Sequence, residues 1–228
     1  MKVSTEFSKN ASTYGLHNVI QNKVLDKLLS HVETKPQYIV DLGCGSGELY
    51  SKVNWQYSHF IGIDFAKGML ELHPKNEKIE LIYGDFNHHK LFDYLLTCKI
   101  DYLFSSSALQ WAENLENVFQ QIARLKVPIA LAIFTSNTFK SLNETANLSP
   151  ILKSSSYINK LQQKYFDAKF EVVNYKLDFQ STREMFKYIK KSGVSGSRKK
   201  LNYKQTKELM QNYPLSYLEF EVVFIHSN

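Results

Sequence analysis

The sequence predicts an α/β fold, with one mostly parallel seven-stranded sheet carrying helices on both faces. Three observations carry that expectation. An apolar run from Gln37 to Leu42 passes directly into a glycine-rich turn at Gly43, Gly45 and Gly47. Short β-rich runs then alternate with segments whose apolar residues recur at helical spacing. Two longer β-rich runs, 170–179 and 217–226, close the chain.

Taken in order, residues 8–30 have helical spacing, with Val19, Val24, Leu25, Leu28 and Leu29 as the apolar stripe. Strands are expected near 37–42, 59–64, 79–83, 100–105 and 128–134, separated by helical segments. The helix from Asn114 to Leu125 places Leu115, Val118, Phe119 and Ile122 on one face. This βαβα rhythm implies parallel strands, because each crossover helix returns the chain to the same end of the sheet. Two further helices, near 181–191 and 203–212, lie between the last two strands and are joined by a Gly/Ser-rich loop. No internal repeat or linker divides residues 1–228, so a single domain is expected.

The glycine turn sets the chemistry. Without a Cβ, glycine lets the chain turn sharply and lets a ligand approach the main chain. A strand, a glycine turn and a helix start make a nucleotide-cofactor cradle. The spacing matches neither GxxxxGK[ST] nor GxGxxG, and Asp41 would repel a pyrophosphate; it would instead attract a cationic amino group. Asp64 ends the second strand roughly 20 residues beyond the turn, where a carboxylate reaches a ribose diol. Asp85 follows the third strand.

Composition narrows the class. The chain has 228 residues and 43% hydrophobic content, enough for a folded core. No apolar run approaches the ~20 residues that span a bilayer, and the first residues lack the apolar core of a signal peptide. Cys44 and Cys98 have no metal-ligand spacing, so a reducing cytoplasm is the expected setting and no metal is expected. His88 and His89 read as a surface pair at a helix start.

The Asp41–Gly47 pattern resembles motif I of the class I S-adenosylmethionine methyltransferases, a Rossmann-like fold whose seventh strand is antiparallel. Further segments resemble one family within it. These are Phe7-Ser-Lys9-Asn-Ala11-x-x-Tyr14 with Gln21, Ser105-Ser-Ser-Ala-Leu-Gln110-Trp111, Phe134-Thr-Ser through Glu144, and Tyr213-Pro-Leu-Ser-Tyr217. That family is the malonyl-[acyl-carrier protein] O-methyltransferases of biotin synthesis. Ser106 stands where its pattern has Asn, and Leu125-Lys-Val-Pro128 replaces its L-K-P-G-G turn.

The resemblance implies S-adenosylmethionine as cofactor and S-adenosylhomocysteine as product. It implies cofactor contacts from Lys9, Asp41, Gly43, Cys44, Gly45, Asp64, Phe65, Asp85, Phe86 and Ser105, with Asp85 accepting from the adenine amino group and Phe86 packing on the ring. It also implies an N-terminal helical cap (1–36), a cofactor-binding core (37–136), lid insertions at about 137–212, and a last strand (213–228).

The implied reaction methylates the free carboxylate of a malonyl thioester, carried on acyl carrier protein or coenzyme A. A carboxylate is ionised at neutral pH, so no general base is required. Tyr14, Gln110 and Trp111 are expected on the acceptor side of the methyl group. Arg198, and next Arg183, are expected to hold the malonyl carboxylate, since a guanidinium binds carboxylates bidentately. Net charge is +6, and nine basic residues face one acid, Glu184, between Arg183 and Lys207. Such a patch suits an acidic carrier protein; neither a nucleic acid nor a membrane partner is expected. Two other readings stand beside this one: a methyltransferase for another carboxylate or for carbon, and a methyltransferase-fold binding protein without activity.

Overall fold

A computed structural model describes residues 19–191 and 203–227. The first helix, α1, spans Val19–Ser30, and three βα units follow: β1 (Tyr38–Leu42) and α2 (Glu48–Lys52), β2 (His59–Asp64) and α3 (Lys67–Leu72), β3 (Ile79–Tyr83) and α4 (His89–Leu95). Next come β4 (Tyr102–Ser106), α5 (Leu115–Arg124), β5 (Ile129–Phe134), α6 (Lys140–Thr145) and α7 (Ser155–Tyr165). The chain closes with β6 (Lys169–Asp178), α8 (Thr182–Lys191), α9 (Tyr203–Asn212) and β7 (Tyr217–His226).

The strands lie in the order β3-β2-β1-β4-β5-β7-β6. β1 to β5 are parallel, and β7 runs antiparallel to both β5 and β6, as expected. The order reverses between β1 and β4, and ligands of open α/β sheets bind outside the carboxyl ends of the strands at such a point.

Alternation along each strand fills two cores. Ile39, Phe60, Phe104 and Ala132 face α1, whose Ile20, Val24, Leu25 and Leu28 are buried there. Val40, Ile61, Leu103 and Leu131 face the opposite layer with Val118, Phe119 and Ile122 of α5. Val19, expected in the α1 stripe, is 45% exposed. Ile20 takes that place, because one residue turns about 100° around a helix and puts Val19 off the 20-24-28 row. Asn114 caps α5 by accepting from the Asn117 amide at 3.1 Å. The turn before β5 needs no glycine: Lys126 itself adopts φ 53°.

The expected lid divides in two. α7 packs on α5, β6 and β7 and buries Ile158 and Leu161 in the second core, so it is a layer helix of the sheet. Its apolar face needs that cover; a free-standing lid would leave it wet. α8 and α9 emerge at the carboxyl edge, where β6 and β7 continue beyond Phe134 to the pair Asp178–Tyr217. They bury Met185, Tyr188, Ile189 and Leu209 in the first core. Among the described residues no helix is long and apolar enough to cross a membrane.

Candidate active site

A cleft of about 750 Å³ opens at the carboxyl ends of β1, β2 and β4, with α1 as its fourth wall. Its floor is the glycine turn. Gly43 has φ 80°, and a Cβ there would lie 2.2 Å from the Ala108 Cβ. Only glycine lets the chain leaving β4 fold this closely over the turn. The Gly43 and Cys44 amides donate to Ile63 O, one residue before the end of β2, at 2.7 and 3.0 Å. Gly45, at φ 56°, turns its amide onto Asp64 Oδ2 at 3.0 Å, while Ala66 N donates to Oδ1 at 2.8 Å.

Three carboxylates meet on this side. Asp41 is 2% exposed. Burial first, then the nearby Asp64 and Glu48, push its carboxyl well above the usual range. Burial raises Asp64 to about 6, against the lowering pull of the Ala66 and Gly45 amides. Glu48, which accepts from the Ser46 hydroxyl at 2.8 Å, completes the group. Glu48 escaped the sequence reading although it is the fifth residue beyond Gly43, at the first position of α2; its signal was an acid facing back over its own turn. No lysine or arginine is among the described residues lining the cleft. Such a wall attracts cationic groups and accepts from hydroxyls.

Seven of the expected residues meet here: Asp41, Gly43, Cys44, Gly45, Asp64, Phe65 and Trp111 all line the cleft. Burial pushes the Cys44 thiol well up, with Asp41 and Asp64 adding to it, so the thiol stays neutral. Asp85 borders an adjoining open groove that shares Phe65 with the cleft. Its Oδ1 accepts from Asn87 N and Nδ2 at 2.9 and 2.8 Å.

Four expected residues do not line the cleft. Phe86 is 5% exposed and packs in the second core, because the Asp85 turn directs the next side chain under the sheet. The buried Ser105 hydroxyl donates to Leu42 O at 2.7 Å, tying β4 to β1; Ser106 and Ser107 reach the cleft instead. Gln110 turns back to donate from Nε2 to Ser107 O and does not line the cleft. Arg183 is exposed on α8, also away from the cleft lining. Lys9, Tyr14 and Arg198 lie outside the described residues.

Sequence reasoning missed part of the cleft lining. Gln21 and Leu25 of α1, Met69 and Ser107 line the cleft. Ser107 has φ 59°, a left-handed conformation costing about 1–3 kcal/mol for a residue with a Cβ. Its Oγ and the Gln21 Oε1 are buried without a hydrogen-bond partner. Such strain and such orphaned atoms concentrate at ligand sites.

These residues fit S-adenosylmethionine. Asp41 and Glu48 suit its ammonium and sulfonium charges, Asp64 suits a ribose diol, and Phe65 and Met69 give the base an apolar wall. The glycine turn admits the backbone approach.

Residues 39–128 match the methyltransferase domain family. The malonyl-[acyl-carrier protein] O-methyltransferase of Buchnera aphidicola is 28% identical, over 93% of this chain and 90% of that protein. The protein so named in Ilyobacter polytropus, with the suffix 2, is 25% identical over 86% and 81%. That of Methylovorus sp. is 29% identical over 62% of this chain and 52% of its own length. Among solved structures, the YcgJ protein of Bacillus subtilis superposes with a TM-score of 0.63 at 13% identity, covering 90% of this chain and 97% of that one. Phosphoethanolamine N-methyltransferase 2 of Haemonchus contortus, in complex with S-adenosyl-L-methionine, has a TM-score of 0.58 at 14% identity, covering 97% and 57%. With the acidic cleft at the sheet's switch point, these likenesses give the chain a methyltransferase domain with S-adenosylmethionine as its cofactor, similar over most of its length to malonyl-[acyl-carrier protein] O-methyltransferases.

Proposed function

We propose that the protein methylates the free carboxylate of a malonyl thioester, on acyl carrier protein or coenzyme A, giving the methyl ester that primes pimeloyl synthesis for biotin. One observation carries this reading beyond the family resemblance. The cleft has an acidic wall of Asp41, Glu48 and Asp64 opposite a neutral wall of Gln21, Ser107 and Trp111, and no histidine or lysine lines it among the described residues. An acceptor with a proton to lose would want a base there, whereas a carboxylate is ionised already.

When bound, S-adenosylmethionine supplies a methyl group on a cationic sulfur, and its transfer to a carboxylate yields a neutral ester and a neutral thioether with no proton moved. The chain's own contribution is positioning and exclusion of water. Asp41 and Glu48 hold the cationic side of the site, Asp64 and Gly45 hold the sugar side, and Phe65 and Met69 line the base. Trp111 and the Ser106–Ala108 turn shape the acceptor side. In this reading residues 1–228 act as one domain, with α8 and α9 on the acceptor side.

An acidic carrier protein is the proposed macromolecular partner. Arg183, Lys187, Lys204 and Lys207 are exposed on α8 and α9, at the sheet edge where the cleft opens. This charge supports steering of an acidic partner.

The reading is tested with purified protein, S-adenosylmethionine and malonyl-acyl-carrier protein. The expected result is a mass gain of one methylene on the carrier that base hydrolysis reverses. Cofactor binding without that gain would overturn it.

A further inference from the structure

We propose that the amide of Gln21 and the hydroxyl of Ser107 form the subsite that holds the acceptor carboxylate, a site made of neutral donors. The inference rests on the malonyl reading above and assigns the groups that bind the nucleophile.

Electrostatics divides the cleft. An anion is repelled from the Asp41, Glu48 and Asp64 side, which leaves the wall made by α1 and the exit of β4. Gln21 stands on α1, and Ser107 on that exit. The Gln21 Oε1 and the Ser107 Oγ are both enclosed without a hydrogen-bond partner. Buried polar groups are nearly always paired, so two unpaired groups facing one cleft mark a place where a ligand completes the pairing. Exchanging the oxygen and nitrogen ends of the Gln21 carboxamide places its N–H at that enclosed point, and an amide N–H and a hydroxyl O–H are both donors to a carboxylate.

The backbone adds a second observation. Ser107 is one of four non-glycine residues with positive φ in the described chain, and the only one of the four that lines the cleft. Its conformation is fixed from both sides. Ser107 N donates to Ala132 O at 2.9 Å, and its carbonyl accepts from Gln110 Nε2. Gln110 is thus a positioning residue, holding the turn that presents the Ser107 hydroxyl. Its own Oε1 is enclosed without a partner beside that turn.

Neutral donors also suit the reaction. Transfer of the methyl group destroys charge, since an anion and a cation give two neutral products. A guanidinium paired with the carboxylate would stabilise the reactant's charge more than the transition state's, and only interactions that grow in the transition state speed the step. Hydrogen bonds from an amide and a hydroxyl orient the oxygen at a smaller cost in nucleophilicity. The exposed position of Arg183 agrees with this division.

The test compares wild type with Gln21→Ala, Gln21→Glu, Ser107→Ala and Ser107→Gly. Three quantities are read: kcat and KM for malonyl-coenzyme A, affinity for S-adenosylhomocysteine, and binding of malonyl-coenzyme A to the S-adenosylhomocysteine-loaded protein, both by calorimetry. Loss of either donor is expected to lower kcat/KM about 10- to 100-fold. Gln21→Glu, which sets a carboxylate against the substrate's, is expected to lower it further. Affinity for S-adenosylhomocysteine should stay within about threefold of wild type, well below the cost of a lost charged hydrogen bond. Ser107→Gly relieves the backbone strain, so it should be more stable than Ser107→Ala yet equally impaired. Wild-type kinetics in Gln21→Glu and Ser107→Ala, with active wild-type protein, would overturn the subsite alone. So would a loss of S-adenosylhomocysteine affinity that matches the loss of activity. A wild-type protein that binds S-adenosylhomocysteine but neither binds nor methylates malonyl-coenzyme A or malonyl-acyl-carrier protein would overturn the substrate reading and the subsite with it.

Discussion

Asp64 Oδ2 accepts the Gly45 amide at 3.0 Å, so the carboxylate that ends β2 also fixes the glycine turn leaving β1. The two halves of the cofactor site are therefore one unit. Folding the turn places the acid, and the acid holds the turn open. Burial lifts Asp64 from an ordinary value of 3.8 to about 6. Between those two values the folded chain keeps a proton that the unfolded chain has lost. Stability of the ligand-free protein thus falls as pH rises across that interval. Asp64→Asn removes this contribution. Its stability relative to wild type should shift in its favour between about pH 4 and pH 6, by up to roughly 3 kcal/mol at ~1.4 kcal/mol per unit. Urea unfolding at both pH values measures it, and parallel curves for the two proteins would refute the raised value. At pH 7.5 the same variant should bind S-adenosylmethionine at least about tenfold more weakly, for want of one charged acceptor.

Gly43 and Ala108 should behave as a coupled pair. A methyl at Gly43 would lie 2.2 Å from the Ala108 Cβ. Gly43→Ala is expected to destabilise by about 2–4 kcal/mol, from overpacking and the left-handed backbone together. Adding Ala108→Gly should recover the overpacking part and leave the backbone part. A double-mutant cycle from thermal unfolding checks this, and purely additive effects would count against the close approach.

Ser105 separates architecture from binding. Its hydroxyl is fully buried and donates to Leu42 O at 2.7 Å. Ser105→Ala should cost about 1–2 kcal/mol of stability while leaving S-adenosylhomocysteine affinity within about threefold. A large loss of affinity in a stable variant would return Ser105 to the cofactor site.

At the opposite end of α1, the His31 and His226 rings stack at 4.1 Å. Lys27 and Glu171 meet His31, and Lys169 acts on both rings. Burial chiefly lowers both imidazoles from 6.5, with Lys27 adding at His31 and the neighbouring ring adding at His226, while Glu171 opposes at each. As pH falls below 6.5 the unfolded chain takes up protons that the folded chain still refuses, so stability drops. His226→Phe keeps an aromatic partner for His31 and removes one of these groups. The fall in thermal midpoint from pH 7.5 to pH 5.5 should be smaller in this variant than in wild type. An equal or larger fall would show that the pair does not titrate this way.

The sequence by itself determined the sheet, its connection order and half of the site. Period-2 apolar runs between helical segments fix which face each residue takes, and the glycine spacing with Asp41 and Asp64 fixes the cradle. Those signals are local, since a turn, its conformation and the acid that ends the next strand are written within one strand–helix–strand unit. Tertiary structure decided what lies across the cleft. Whether Ser105 or Ser107 faces the ligand depends on which hydroxyl β1 takes up, through Leu42 O. Whether Gln110 or Gln21 borders the cleft depends on the path of the chain after β4 and on the docking of α1. Neither can be read from spacing, because the Ser105 hydroxyl bonds a strand 63 residues away and the place of Gln21 follows from how α1 docks on the sheet. The packing of α7 against α5 likewise depends on a partner face that its own amphipathic pattern does not name.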